Sequence, residues 1–132
     1  MLIVYSEFTV KVTSVLKNST TAAIAPNSDV ICDRPVGGVL FPSGTVAYIG
    51  QLGMGSPEVG KTYVLFLSGE GPAQDLRIVT GFESTDGKIY AIDGSRAAPG
   101  TGRHRSRFED YDGTGRASFL DLVRKRIAAV QQ

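Results

Sequence analysis

One stretch of this chain has a residue spacing that chemistry would recognise. Gly55-Ser-Pro-Glu-Val-Gly60-Lys61-Thr62 fits the phosphate-cradling pattern G-x-x-x-x-G-K-[ST] letter for letter. In such a loop the main-chain amides and the lysine hold a nucleotide's phosphates, and the helix that follows supplies several of those amides. Here the next residues are Tyr63-Val-Leu-Phe-Leu67 and then Ser68-Gly69, a strand composition closed by a turn. Pro57 also removes one amide from inside the loop. Ile89-Tyr-Ala-Ile-Asp93 has the apolar-run-plus-Asp form of a magnesium partner, but it follows the hairpin signal Thr85-Asp86-Gly87 rather than a crossover helix. A nucleotide-binding enzyme using Gly55, Gly60, Lys61 and Thr62 is therefore an alternative that its own surroundings argue against.

A second set of candidates lies further on. Arg96, Arg103, Arg105 and Arg107 fall in a stretch, 94–107, that has no acidic residue and is rich in Gly, Ala, Ser and Pro. Such residues can meet phosphate or an acidic surface, which makes single-stranded nucleic acid or another anion a candidate ligand. They lack the interleaved aromatics of a stacking platform. His104 is the sole histidine, and without Cys, Asp or Glu at ligand spacing it predicts no metal site. Cys32 is the sole cysteine, so no intramolecular disulfide can form; in DVICD it reads as a buried, inert strand thiol. No residue set spells a catalytic constellation, and neither a cofactor nor a metal is expected.

With 132 residues the chain is one domain by length, large enough to hold a core without staples. A formal charge of +1 gives no global pull toward nucleic acid or anionic membrane. No apolar run reaches the length of a membrane span. No cationic, apolar signal segment opens the chain, and strand-like sequence begins almost at Met1, which suggests a truncated chain, a processed form or a late start codon.

The elements that must position these residues read as β. Leu2–Leu16 alternates through Phe8, Val10 and Val12, and slips at Ser14-Val15-Leu16. Asp29–Asp33 reads as a short strand broken by Arg34-Pro35. Val36–Phe41 and Thr45–Gly50 flank a Pro42-Ser43-Gly44 turn, and Lys61–Leu67, Leu76–Glu83 and Lys88–Ile92 complete the set. Short strands this closely spaced predict an antiparallel barrel or sandwich of about six or seven strands. One convincing helix closes the chain. It is expected over 118–131 with Ser118 and Asp121 as a capping-box-like start, and Phe119, Leu122, Val123, Ile127 and Val130 share the face that packs on the barrel. The expected organisation is 1–93 barrel, 94–117 Gly/Arg-rich connector and 118–131 helix, within one domain.

The barrel region, Tyr5 to Asp93, resembles the netrin-like module, the OB-type barrel also found in tissue inhibitors of metalloproteinases. The residues that carry the resemblance are Phe8-Thr-Val-Lys-Val-Thr-Ser-Val-Leu-Lys17 and Val59-Gly-Lys-Thr-Tyr-Val-Leu-Phe66. Arg77-Ile-Val-Thr-Gly-Phe82 and Gly87-Lys-Ile-Tyr90 are similar to follow-on strands in bacterial extracytoplasmic proteins of this type. The resemblance implies an OB-like antiparallel barrel and a periplasmic or secreted origin, with a cytoplasmic one left open. The inhibitors work through an N-terminal cysteine whose amino group approaches zinc. This chain opens Met1-Leu2 and lacks their disulfide framework, so that mechanism does not transfer.

The sequence therefore predicts a non-enzymatic binding or protein-interaction module. Its partner is a protein or small ligand of unspecified identity, met by a barrel face or by the loops 53–60 and 94–107. Oligomeric state is left open.

Overall fold

A computed structural model describes residues 2–18, 24–47, 54–69, 75–94 and 107–130. The chain is mainly β with one C-terminal α-helix. Among the described residues six strands form one sheet: β1 (Leu2–Lys11), β2 (Asp29–Leu40), β3 (Val46–Ala47), β4 (Thr62–Ser68), β5 (Leu76–Thr85) and β6 (Lys88–Ala91). A 3-10 helix (Arg107–Tyr111) and α1 (Arg116–Val130) follow.

The strand order is β1-β2-β5-β4, with β3 on β2 and β6 on β5. Two departures from the expected antiparallel barrel stand out. Among the described residues β1 and β4 do not pair, so the sheet is open rather than closed. The join between β2 and β5 is parallel, spanning Cys32↔Leu76 and Asp33↔Arg77. A parallel pair needs a crossover of a dozen or more residues, and the chain from β2 through β4 provides it.

The break expected at Arg34-Pro35 is instead a register shift inside one long strand. Against β1 the pairing passes from Ser6↔Arg34 to Val4↔Gly38. Pro35 has no amide to give a ladder, and a bulge lets the strand continue past it. That continuity merges two expected strands into β2.

Other turns follow their local chemistry. Asp86 and Gly87 both have positive φ (51° and 74°), the two-residue turn that matches strand twist between β5 and β6. At the Pro42-Ser43-Gly44 turn, Phe41 N donates to Thr45 O at 2.9 Å.

The most buried strand is β5. β4 lies at an edge with its residues half-buried or exposed, while β5 pairs with β2, β4 and β6 and buries most of its length. One apolar cluster gathers Cys32, Leu76 and Ile78, against which Phe8, Val10, Leu65 and Leu67 pack. The other gathers Phe82, Ile89, Ala91 and Phe119, with Val64, Tyr111 and Val123 against it. Phe82 takes Phe119 at 4.6 Å and meets Phe66, Phe108 and Tyr111 edge-on at 6.2 Å.

The helix begins at Arg116, two residues before the expected start, so Ser118 sits inside its first turn and is not the cap. Instead, Arg116 N donates to Gly87 O at 2.8 Å and Phe119 N to Gly115 O at 3.0 Å. The hairpin turn thus takes one of the amides that a helix N-terminus leaves unpaired. Residues 107–115, expected as connector, lie against β6. Ile89 N donates to Thr114 O, Gly113 N to Ile89 O, and Ala91 N to Asp112 Oδ1 at 2.7 Å.

Candidate functional site: a groove along the open seam

β4 runs along one edge of β5 from Arg77 to Ser84. β2 and β6 must therefore share the other edge, β2 at Leu76 and Arg77 and β6 at Phe82 to Thr85. Among the described residues, 78–81 are left between them without a strand partner on that side. Ile92 N donates to Gly81 O at 3.1 Å, and Arg34 fills the rest.

Arg34 is 1% exposed. Its guanidinium donates to both oxygens of Asp93 at 2.7 Å, to Val79 O at 3.0 Å and to Gly55 O at 2.5 Å. Asp93 also accepts from Gly55 N at 2.9 Å and from Thr80 Oγ1 at 2.7 Å. A register shift in the β4–β5 ladder between Phe66↔Thr80 and Leu67↔Ile78 leaves Val79 as the extra residue and frees its carbonyl for Arg34. Burial pushes the Asp93 carboxyl up, but Arg34, the Gly55 amide and the Thr80 hydroxyl outweigh it and hold the group below its ordinary value. The arrangement is a side-chain splice for a missing stretch of strand.

A second charged group lies near the parallel join. Carboxylate oxygens of Glu7, Asp33 and Asp75 fall within 4.8 Å of one another. Asp33 is 3% exposed. Burial, the hydrogen bond and charge of Asp75, and the charge of Glu7 push it up to about 6. The spacing suits a hard cation, and an acid–carboxylate pair sharing a proton accounts for it equally. Cys32 next door is fully buried, and burial, then Asp33 and Asp75, push its thiol up to about 11, as an inert thiol requires.

The sequence-predicted residues divide. Arg96, Arg103 and Arg105 lie outside the described residues, as does His104. Arg107 opens the 3-10 helix and is exposed. Gly55 is held by the Arg34–Asp93 pair. Gly60 (φ +85°) turns the chain, and Thr62 opens β4, so a strand and not a helix follows the loop. Lys61 Nζ sits 2.8 Å from Glu58 and 2.9 Å from Glu83, and those hydrogen bonds hold its ammonium above its ordinary range.

A groove of about 1480 Å³ is lined by the two edges that have no strand partner among the described residues, 7–12 of β1 and its extension and 62–67 of β4. Tyr63, whose hydroxyl accepts from Glu58 N at 2.8 Å, sits on one wall, and burial pushes its phenol up. Phe66 (37% exposed) and Phe108 (43% exposed) stand on it as well, and α1 contributes Leu122, Val123 and Ile127. The alternation at Phe8 and Val10 signalled the inward face in the sequence, but no local pattern signalled that β1 and β4 would stay apart.

No protein-family model matches the chain, and no curated protein or solved structure matches it. The fold and the groove define the class by themselves: a mainly β domain whose single open sheet carries one C-terminal helix. Among the described residues no helix is long and apolar enough to cross a membrane.

Proposed function

We propose that the protein is a non-enzymatic binding module whose groove takes an extended segment of a partner polypeptide. The observation that carries this reading is the groove bounded by two unpaired strand edges. At about 1480 Å³ it exceeds the roughly 300–1,000 Å³ of a small-molecule pocket, and its walls run along strands. Edge strands offer main-chain donors and acceptors to an added strand, and side-chain pockets alternate along it. Phe66 and Phe108 supply exposed aromatic anchors at the end where Phe82 forms the floor.

In the same proposal the sheet is an OB-type barrel of the netrin-like class left open between β1 and β4. The strand order and the facing edges support it. A periplasmic or secreted compartment comes with that resemblance, and fractionating cells that express the full-length gene tests it.

The binding reading is tested by titrating fluorescent strand-forming peptides that alternate aromatic and β-branched residues, with amide chemical shifts as the map. Expected are saturable binding, shifts at residues 6–11 and 62–68, and a loss of about tenfold in affinity for Phe66→Ser, in line with an anchor residue. Shifts confined to other surfaces would overturn it.

A further inference from the structure

The loop 54–61, whose residues 57–61 line the groove, is held very differently at its two ends. At Gly55 both backbone polar groups are taken by one ion pair: the amide donates to Asp93 and the carbonyl accepts from Arg34. A methyl group on Gly55 would run into the main-chain carbonyl of Ile92, so the backbone there lies flat on the chain leaving β6. Residues 58–61 are held by the exposed contacts Glu58 N to Tyr63 Oη, Lys61 N to Glu58 O and Glu58 to Lys61, and by one reach of Lys61 to the buried Glu83. Gly60 has positive φ and open space around it, and Val59 stands fully exposed at the tip. Charge-assisted bonds in a buried setting outlast exposed ion pairs, so the segment opens from its tip and not from Gly55.

We propose that the Arg34–Asp93 pair is a clamp on the backbone of Gly55 from which residues 57–61 extend as a hinged wall of the groove. Gly55 is the fixed end, Gly60 the pivot and residues 57–59 the moving part. Arg34 and Asp93 do not line the groove. They act on it through Gly55, as positioning residues. Ligand entry would break the Glu58 contacts while the clamp holds. This last consequence rests on the groove-binding reading; the clamp itself does not.

Amide hydrogen exchange on the full chain tests the clamp without a ligand. In the wild type the Gly55 amide is expected to exchange at least about 100-fold more slowly than those of Val59 and Gly60, since local openings differ that widely within one fold. Similar rates at all three would overturn the clamp. In Asp93→Asn, exchange at Gly55 should rise by a factor at least about tenfold greater than the factor at Phe82 and Glu83, whose amides follow the loss of global stability. Acceleration of the β5 amides in step with the loop would make the pair simple sheet glue and overturn the proposal. Should Asp93→Asn not fold, Thr80→Val, which removes one bond to Asp93, should move the Gly55 amide in the same direction by a smaller factor, and an unchanged rate there counts against the clamp. Anilinonaphthalene sulfonate serves as the groove probe. A dye affinity weakened about threefold by the clamp variant, with Gly55 exchange raised, extends the clamp to the groove. A wild type that binds no dye overturns the groove reading, while the exchange contrast still decides the clamp.

Discussion

Arg34 and Asp93 are 59 positions apart in sequence and meet through two 2.7 Å contacts in the gap that β2 and β6 leave on the edge of β5. The pair does there what main-chain ladders do elsewhere, taking the Val79 carbonyl and both polar groups of Gly55. It is buried and bidentate, so its removal leaves a bare charge in the interior. Asp93→Ala is expected to lower unfolding free energy by about 3–5 kcal/mol, the usual cost of stranding a buried partner. Urea unfolding followed by far-ultraviolet dichroism measures it. A change below about 1 kcal/mol, the value of an exposed pair, would refute the splice.

Phe119 is the helix's anchor, 4.6 Å from Phe82 and buried with it. Phe119→Ala should cost about 3–5 kcal/mol, and Phe82→Ala as much or more because four aromatic rings converge on it. Near-ultraviolet dichroism should fall with the stability. Ser118→Ala, at an exposed position in the first turn, should stay within about 0.5 kcal/mol.

Two acids give pH dependence of opposite sign. Asp33 titrates near 6 when folded against 3.8 ordinarily, so the native state binds the proton more tightly. Its contribution to stability is therefore greatest at low pH and is lost as pH rises from about 4 to 6, then levels off. Asp93 is held below its ordinary value, so its contribution is present above that value and is lost as pH falls through the lower one. Asp33→Asn should flatten the pH 4–6 slope and raise stability at pH 7, measured as melting temperature against pH. A slope that survives the substitution would assign it elsewhere.

Gly81 lies where β5 passes under β4. A Cβ there would meet Leu65 Cδ2 at 2.7 Å and Val64 O at 2.9 Å. Gly81→Ala is expected to cost about 1–3 kcal/mol through overpacking. Gly115→Ala has open space and should fall within about 0.5 kcal/mol. Paired chemical denaturation curves make the comparison.

Lys61 is engaged with Glu58 and Glu83. Calorimetric titration with ATP and magnesium should therefore show no heat that depends on Lys61, with Lys61→Ala as the reference. Lys61-dependent binding in the micromolar range would restore the phosphate-loop reading.

What the sequence made legible was local. Asp86-Gly87 announces its hairpin because only small, turn-tolerant residues take positive φ twice in succession, and the Phe119, Val123 stripe announces a helix through its period. Arg34 was hidden because an Arg-Pro dipeptide reads as an interruption, and only the shift against Val4 and Ser6 of β1 shows that the strand runs on. Asp93 was noticed as the end of an apolar run, but its partner lies too far along the chain for spacing to name. Whether a sheet closes depends on how two edges far apart in sequence approach, and the alternation within β1 or β4 carries no information about the other. The acidic trio was invisible for the same reason, since Glu7, Asp33 and Asp75 meet only once three separate segments are assembled.

The two-residue parallel join of Cys32 and Asp33 to Leu76 and Arg77 also bears on the order of folding. β1 and β2 form one antiparallel unit and β4, β5 and β6 another, each built from near neighbours in the chain, whereas the join requires closing a long loop for very little ladder in return. Loop closure of that kind is entropically slow to be repaid. The two units should therefore be in place before they are soldered together, with the Arg34–Asp93 contact among the last to form. Substitutions at the join would then quicken unfolding and leave the refolding rate nearly unchanged.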